Sequence, residues 1–225
     1  MYFRQFFDSA NAAMSYLLAD LPTGQAVAID PSPDPCQTLV LKSLLAERGL
    51  ALEFIMLTHT HGQAADDLSD HYPGAEILVG KRTRSKTGDR FVEHGEMLHC
   101  GNQSIQVIAT PGHTADSLSF LWLDRLFCGD ALELGGCARN ADEDCDPGSL
   151  YDSVVRRLFE LPDEILVFPG HDFHGRTVST IGEERTRNPF FLSRSRDEFI
   201  TAFSSYQYTL SLHDALPIRS EERRV

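Results

Sequence analysis

The feature that most constrains this chain is a repeated pattern in which a short apolar segment runs directly into a loop with a metal-binding type of side chain. Four such loops occur: Thr58-His59-Thr60-His61, Thr110-Pro111-Gly112-His113, Gly129-Asp130 and Pro169-Gly170-His171-Asp172. The segments before them are rich in branched and aromatic residues, which predicts β-strands. Strand ends direct side chains from a rigid sheet, so we expect these loops to face one cleft. A fifth strand end, Ile29-Asp30-Pro31, offers an aspartate suited to orienting its neighbours.

The residue types in these loops indicate a metal ion. An H-x-H pair can direct two imidazoles at one ion, and a distant histidine and aspartate add the mixed nitrogen and oxygen ligation that suits Zn²⁺ or Fe²⁺. A single histidine is weak evidence, but the combination is specific. Its members are His59, His61, His113, Asp130 and His171. The other histidines lack this placement, and we interpret them as solvated or helix-flanking: His71, His94, His99 and His174.

The rest of the chain alternates predicted strands with predicted helices. Strands are predicted at 2–7, 15–19, 26–29, 52–57, 76–79, 104–109, 117–122, 126–128 and 165–168. Helices are predicted at 38–48, 150–159, 181–187 and 196–203. Pro22-Thr23-Gly24 predicts a turn, so the first three strands are expected to form an antiparallel meander. The sequence shows no repeat and no low-complexity linker, which favours one α/β domain.

Charge and composition exclude several classes of protein. Twenty Lys and Arg residues against 33 Asp and Glu residues give a formal charge of −13, which opposes binding to nucleic acid or to an anionic membrane. No apolar run approaches the roughly 20 residues of a membrane-spanning helix. The cysteines, 5 in all, are scattered, and Arg4, Asp8 and Asp20 interrupt any signal peptide. We therefore expect a cytoplasmic protein with reduced thiols.

The segment 208–225 differs in kind from the chain before it. His213–Ile218 can be encoded by CAC GAC GCT CTT CCG ATC, and Arg219–Arg224 by AGA TCG GAA GAG CGT CGT, which after one spacer base is the reverse complement. This inverted repeat resembles a translated sequencing-library adapter, and its charges cancel. We expect a single, C-terminally truncated domain over residues 1–207 and a non-native tail over 208–225. The alternative is a natural polar helix.

The histidine and aspartate loops resemble, in order and spacing, the motifs of the metallo-β-lactamase fold superfamily. The matching motifs are THTH at 58–61, TPGHTADS at 110–117, FCGDAL at 127–132 and FPGHDF at 168–173. The persulfide dioxygenase branch is resembled more closely, through FRQ at 3–5, DPGSLYDSV at 146–154 and HDFHGRTVSTIGEERTRNP at 171–189. The resemblance covers nearly everything from residue 1 to about residue 199. It implies an α/β fold of the αββα sandwich type, in which helices flank two mixed β-sheets.

The resemblance also implies an iron enzyme that uses O₂ to oxidise glutathione persulfide to sulfite and glutathione. Carried over by position, His59, His113 and Asp130 hold one Fe²⁺ per chain, and such a facial triad leaves coordination positions open. His61 is a fourth ligand or a residue that supports a ligand, and His171 is expected to support one. Arg139 is the candidate for binding the carboxylates of the substrate, with a surface ion pair as the alternative.

The chain departs from the family at positions that bear on these expectations. Gln63 and Ala64 stand where the H-x-H-x-D-H pattern has Asp and His, which disfavours a dinuclear hydrolase. The residues 140–142, Asn-Ala-Asp, replace a Thr-Asp-Phe stretch, and Phe173 replaces a tyrosine. Two other functions therefore stay open: a mononuclear, glyoxalase II-like thioester hydrolase and a non-catalytic homologue that binds a metal or a thiol. Zn²⁺ is the alternative to iron, and a homodimer is left open.

Overall fold

The computed structural model describes residues 1–60, 66–83, 88–137, 145–173 and 175–214, which fold around two six-stranded β-sheets. The first sheet has its strands in chain order: β1 (Tyr2–Asp8), β2 (Ala13–Asp20), β3 (Gln25–Ile29), β4 (Ala51–Met56), β5 (Glu76–Gly80) and β6 (Arg90–Val92). Strands β1 to β3 are antiparallel, which confirms the predicted meander. Strands β3 to β6 run parallel.

The second sheet contains the later strands, again as neighbours in sequence. They are β7 (Met97–Cys100), β8 (Gln103–Ala109), β9 (Leu118–Trp122), β10 (Arg125–Gly129), β11 (Leu166–Pro169) and β12 (Ser179–Thr180). Only β10 and β11 pair in parallel, and the other neighbours are antiparallel. Both sheets are therefore mixed.

Helices connect the strands. They are α1 (Pro35–Arg48), α2 (Asp66–His71), α3 (Pro147–Ser153) with a π-helical turn at Val154–Leu158, α4 (Ile181–Arg187) and α5 (Arg196–Asp214). Helix α1 begins three residues before the predicted start, because the Asp34 carboxylate accepts hydrogen bonds from the backbone N–H groups of Cys36 and Gln37. Gly49 ends the helix with a φ of 63°. No helix in the described ranges is long and apolar enough to cross a membrane.

The apolar side chains form three layers. Aromatic residues fill the space between the sheets: Phe3, Tyr16, Phe120, Trp122, Phe127 and Phe168. Leu41 and Leu45 of α1 cover the outer face of the first sheet. Leu150 of α3 and Phe199 of α5 cover the second. The chain is thus an αββα sandwich, as predicted, with both sheets buried on two faces.

Candidate metal centre

Four of the chemically distinctive side chains lie at strand ends along one edge of the sandwich. His59 follows β4, His113 follows β8, Asp130 follows β10 and His171 follows β11. Among the described residues, His59, His113 and Asp130 are the only set of three metal-binding side chains whose ligand atoms all lie within 4.8 Å of one another. The strand-end pattern therefore does bring these loops together.

The geometry of this triad is close to that of a ligand set. Asp130 Oδ2 lies 3.7 Å from His59 Nε2 and 3.5 Å from His113 Nε2. Two ligand atoms at about 2.1 Å from one ion lie roughly 3.0–3.4 Å apart. The His59 and His113 rings stand nearly perpendicular, at 84°, with centroids 4.8 Å apart. For both histidines, the distance to the carboxylate oxygen is thus within a few tenths of an ångström of the spacing between two ligands of one ion.

His171 contacts Asp130 from the other side. Its Nδ1 atom lies 2.7 Å from Asp130 Oδ1, and an ionised carboxylate can only accept, so Nδ1 donates. Burial opposes ionisation of Asp130, but the hydrogen bond from His171 and the electrostatic influence of the neighbouring histidines outweigh it and lower the pKa of Asp130. Burial lowers the pKa of His171, yet its bond to Asp130 raises that pKa overall. His171 thus holds Asp130 ionised and leaves Oδ2 facing His59 and His113.

Asp30 fixes the state of His59 through one hydroxyl. The Asp30 carboxylate accepts the Thr58 hydroxyl at 2.7 Å and the Thr58 N–H at 2.8 Å. While Asp30 is ionised, the single hydroxyl proton of Thr58 goes to Asp30, so the Thr58 oxygen accepts from His59 Nδ1, which lies 3.0 Å away. His59 Nδ1 therefore carries the proton, and the lone pair of Nε2 faces the triad. Asp30 is buried, which raises its pKa to about 7 despite the two bonds from Thr58.

Two glycines of the motifs allow the loops to approach one another. A Cβ atom on Gly170 would lie 2.4 Å from Asp130 Oδ1. Gly129 adopts a φ of 52°, and a Cβ atom there would lie 2.4 Å from the Thr58 hydroxyl. Larger residues would separate the loops, which explains why glycine stands beside the candidate ligands.

The hairpin between β1 and β2 holds the His171 loop against the first sheet. The Met14 N–H donates to the Gly170 carbonyl at 2.8 Å, and the Asp172 N–H donates to the Ala12 carbonyl at 2.9 Å. The Tyr16 hydroxyl donates to the Pro169 carbonyl at 2.6 Å. Sequence reasoning missed this link, because mainly backbone groups make it and they leave no residue signal.

A cavity of about 150 Å³ opens beside His59 and His171. Its walls come from the β1–β2 hairpin, the loop after β3 and the start of the covering helices: Asn11, Ala13, Met14, Pro31, Pro33, Leu57 and Leu68, among others. These walls are mostly apolar, so the cavity can hold a small uncharged group beside His59 and His171.

Comparison with known proteins agrees with this architecture. A family model described as "Metallo-beta-lactamase superfamily" matches residues 62–171. Human "Persulfide dioxygenase ETHE1, mitochondrial" is 34% identical over 206 residues, which cover 88% of this chain and 78% of the human protein. The chain belongs to the metallo-beta-lactamase superfamily. Within it, this protein is a homologue of the ETHE1 persulfide dioxygenases.

Other superfamily members are also similar. The crystal structure of ETHE1 from Myxococcus xanthus superimposes with a TM-score of 0.85 at 38% identity, covering 97% of this chain and 93% of that one. A hydroxyacylglutathione hydrolase from Francisella tularensis subsp. novicida is 31% identical over 175 residues, covering 76% of this chain and 67% of the relative. The chain thus resembles both an oxidising and a hydrolysing member of the metallo-beta-lactamase superfamily.

The site of this metallo-beta-lactamase superfamily member fits a metal ion. Two imidazole nitrogens and one carboxylate oxygen converge, the carboxylate is held ionised, and His113 is only 2% exposed. Such a set suits Fe²⁺ or Zn²⁺. The donor atoms alone do not distinguish these two ions.

Several predicted residues lie outside the described ranges: His61, Gln63, Ala64, Arg139, Ala141 and His174. Phe173 is described, and its ring stacks on that of His171 with centroids 5.6 Å apart and planes 5° apart. Arg176, five positions after His171, lines a small cleft with Phe173 and pairs with Glu183.

Proposed function

We propose that this protein is an iron-dependent persulfide dioxygenase that oxidises glutathione persulfide to sulfite and glutathione. The cluster of His59, His113 and Asp130, in a chain 34% identical to human persulfide dioxygenase, carries the proposal. Two histidines and one carboxylate are the ligand set of non-haem iron oxygenases. The reaction consumes one O₂ and one water per persulfide, so that GSSH + O₂ + H₂O gives GSH + H₂SO₃.

The protein's own residues prepare the site for this chemistry. One Fe²⁺ per chain, held by His59, His113 and Asp130, would supply the redox chemistry that couples O₂ to the terminal sulfur. Thr58 keeps the proton of His59 on Nδ1, and His171 occupies Asp130 Oδ1, so that His59 Nε2 and Asp130 Oδ2 face the ion position. The mostly apolar cavity beside His59 and His171 offers space for part of the substrate. His61 remains a fourth ligand or a supporting group in this proposal.

Recognition of the glutathione moiety is assigned to Arg139, whose guanidinium matches a carboxylate in two parallel hydrogen bonds. The Phe173 ring, 42% exposed and stacked on His171, offers an apolar surface close to His171. The tyrosine of the family pattern would add a hydroxyl at this position. Its replacement by Phe173 removes one polar contact to a substrate.

The second candidate is a mononuclear thioester hydrolase that uses Zn²⁺. The similarity to hydroxyacylglutathione hydrolases supports it, as does a triad that Zn²⁺ can also occupy. Gln63 and Ala64 count against a dinuclear form of this hydrolase, because the H-x-H-x-D-H pattern places Asp and His there. A cytoplasmic location remains part of the leading proposal, in keeping with the free thiols of Cys36, Cys100 and Cys128.

The test combines metal analysis with two assays on the same preparation. Protein produced in iron-replete medium is analysed for metal, then assayed for oxygen uptake with glutathione persulfide and for hydrolysis of a glutathione thioester. One iron per chain with persulfide-dependent oxygen uptake supports the dioxygenase. Two metals per chain, or thioester hydrolysis by the zinc form without oxygen uptake by the iron form, contradicts it and favours the hydrolase. Bound metal with neither activity favours the non-catalytic homologue.

A further inference from the structure

Asp116 lies between the two loops that carry His59 and His113. It is 6% exposed and stands in the loop between β8 and β9, three residues after His113. Its Oδ2 accepts the Thr60 hydroxyl at 2.7 Å, and its Oδ1 accepts the Thr114 hydroxyl at 2.6 Å. Thr60 directly follows His59, and Thr114 directly follows His113. One carboxylate therefore joins the residues adjacent to both histidines.

The proton directions in this network are determined. Because Thr60 gives its only hydroxyl proton to Asp116, the Thr83 hydroxyl, 2.8 Å away, must donate to Thr60. By the same argument, the Ser117 hydroxyl donates to Thr114 at 2.7 Å. Each hydroxyl thus has one orientation as long as both carboxylate oxygens of Asp116 accept. A networked arrangement of this kind is rigid and depends on every member.

Two further contacts show that the sequence accommodates this bridge. A Cβ atom on Gly80 would lie 2.1 Å from the Asp116 carbonyl oxygen, so only glycine at the end of β5 leaves room for the loop. The Leu118 N–H donates to the Thr58 carbonyl at 2.6 Å, which ties the same two loops by their backbones. Asp116 adds the side-chain half of this connection.

We propose that Asp116 is a positioning residue that sets the separation of the His59 and His113 imidazoles, and thereby the metal affinity, by bridging Thr60 and Thr114. The inference rests on the metal site proposed above. Asp116 itself is not a ligand in this proposal, since both of its oxygens accept from threonines. Supporting groups of this kind typically change metal affinity by about 10- to 100-fold.

The test is a titration of metal-free protein with Co²⁺ alone, followed by its visible absorption band, which reports ligand geometry. Asp116→Asn keeps the shape but has one accepting oxygen, so one threonine hydroxyl loses its acceptor. We expect its Co²⁺ dissociation constant to rise about tenfold and the band to shift. Thr60→Val, which cuts the bridge from the other side, should behave alike. The double variant should bind Co²⁺ no more weakly than the weaker-binding single variant, because both substitutions break the same bridge.

Thr110→Val is the matched control. Thr110 is fully buried at the start of the same loop, and its hydroxyl pairs with Ser119 at 3.0 Å without reaching the His59 loop. Its affinity for Co²⁺ should stay within about twofold of the wild-type value. Wild-type affinity and spectrum in Asp116→Asn, or additive losses in the double variant, would overturn the proposal. If Asp116→Asn does not fold, the comparison of Co²⁺ affinity between Thr60→Val and Thr110→Val tests the proposal by itself. Failure of the wild-type chain to bind Co²⁺ would refute the metal site itself.

Discussion

At the scale of single residues, Thr58 determines which nitrogen of His59 is available. Its hydroxyl donates to Asp30 and accepts from His59 Nδ1. Thr58→Val preserves shape but removes this acceptor, so the imidazole can take either tautomer. We predict that metal affinity falls about 10- to 100-fold, measured by titration of metal-free protein. Thr58→Ser keeps the hydroxyl and should retain affinity. Equal affinities for the Val and Ser variants would show that the tautomer is set elsewhere.

Substitutions of Arg139 test the proposed contact with the substrate. A guanidinium cannot ligate a cation, but it pairs with carboxylates. Arg139→Ala is therefore expected to raise the KM for glutathione persulfide and to leave metal content unchanged. Arg139→Lys keeps the charge without the planar fork and should give an intermediate KM. Unchanged kinetics in both variants would identify Arg139 as a surface charge.

The candidate ligands could be predicted from the sequence, and the residues that hold them in place could not. His59, His113 and Asp130 all follow apolar strands, and glycine directly precedes the last two, which is a linear signal. The roles of Thr58 and Asp116 depend on which loops become neighbours in three dimensions. The repeated threonines after His59 and His113, with Asp116 close by, were a signal that becomes readable only once the pairing of loops is known.

At the scale of elements, α3 and its N-cap residue hold the His113 loop in place by hydrogen bonds. The Asp146 N–H donates to the Gly112 carbonyl at 2.8 Å, and the Ser153 hydroxyl donates to the Pro111 carbonyl at 2.6 Å. The Asp146 carboxylate caps the helix by accepting from Ser149 and Gly148. The Ser149 hydroxyl and both backbone bonds lower the pKa of Asp146.

This cap gives a stability prediction with a defined pH dependence. Because the folded pKa of Asp146 lies below the unfolded value of about 3.9, its contribution is present above that pH and is lost as the pH falls further. Asp146→Ala should lower the free energy of unfolding by about 1 kcal/mol at pH 7, with a smaller difference from wild type below about pH 4. Asp146→Asn, also a good cap, should retain most of the stability. Denaturant unfolding at both pH values measures the free energy of unfolding. A difference between wild type and Asp146→Ala that does not change with pH would contradict the prediction.

Apolar strands were predictable even where they were short, and three short strands with polar residues were not. Strands β6, β7 and β12 have three, four and two residues, and they contain polar residues such as Arg90 and His99. Their strand conformation comes from pairing with β5, β8 and β11 rather than from local propensity. The predicted helix over 150–159 is observed as α3 followed by a π-helical turn, which local sequence patterns do not separate from an α-helix.

At the scale of the whole molecule, the site exists only when the two sheets pack together. His59 comes from the first sheet, whereas His113 and Asp130 come from the second. His113→Ala removes one of the three proposed ligands, so metal occupancy and persulfide-dependent oxygen uptake should fall together. His61→Ala should have a smaller effect on both if His61 supports a ligand. Elemental analysis and an oxygen electrode measure the two quantities, and a larger effect of His61→Ala would reverse the assignment.

The proposed boundary between the domain and the tail is tested by truncation after Gln207. Helix α5 packs on the second sheet through Phe199 and Phe203, whose rings lie 5.8 Å apart and which both precede the cut, while the helix itself continues to Asp214. Because these buried contacts are kept, the melting temperature should change by a few degrees at most, equivalent to less than about 1 kcal/mol. Phe199→Ala in the full chain is the comparison, since removing a buried ring costs about 3–5 kcal/mol. A truncated chain as unstable as Phe199→Ala would show that residues 208–225 pack on the domain, and the adapter interpretation would then be wrong.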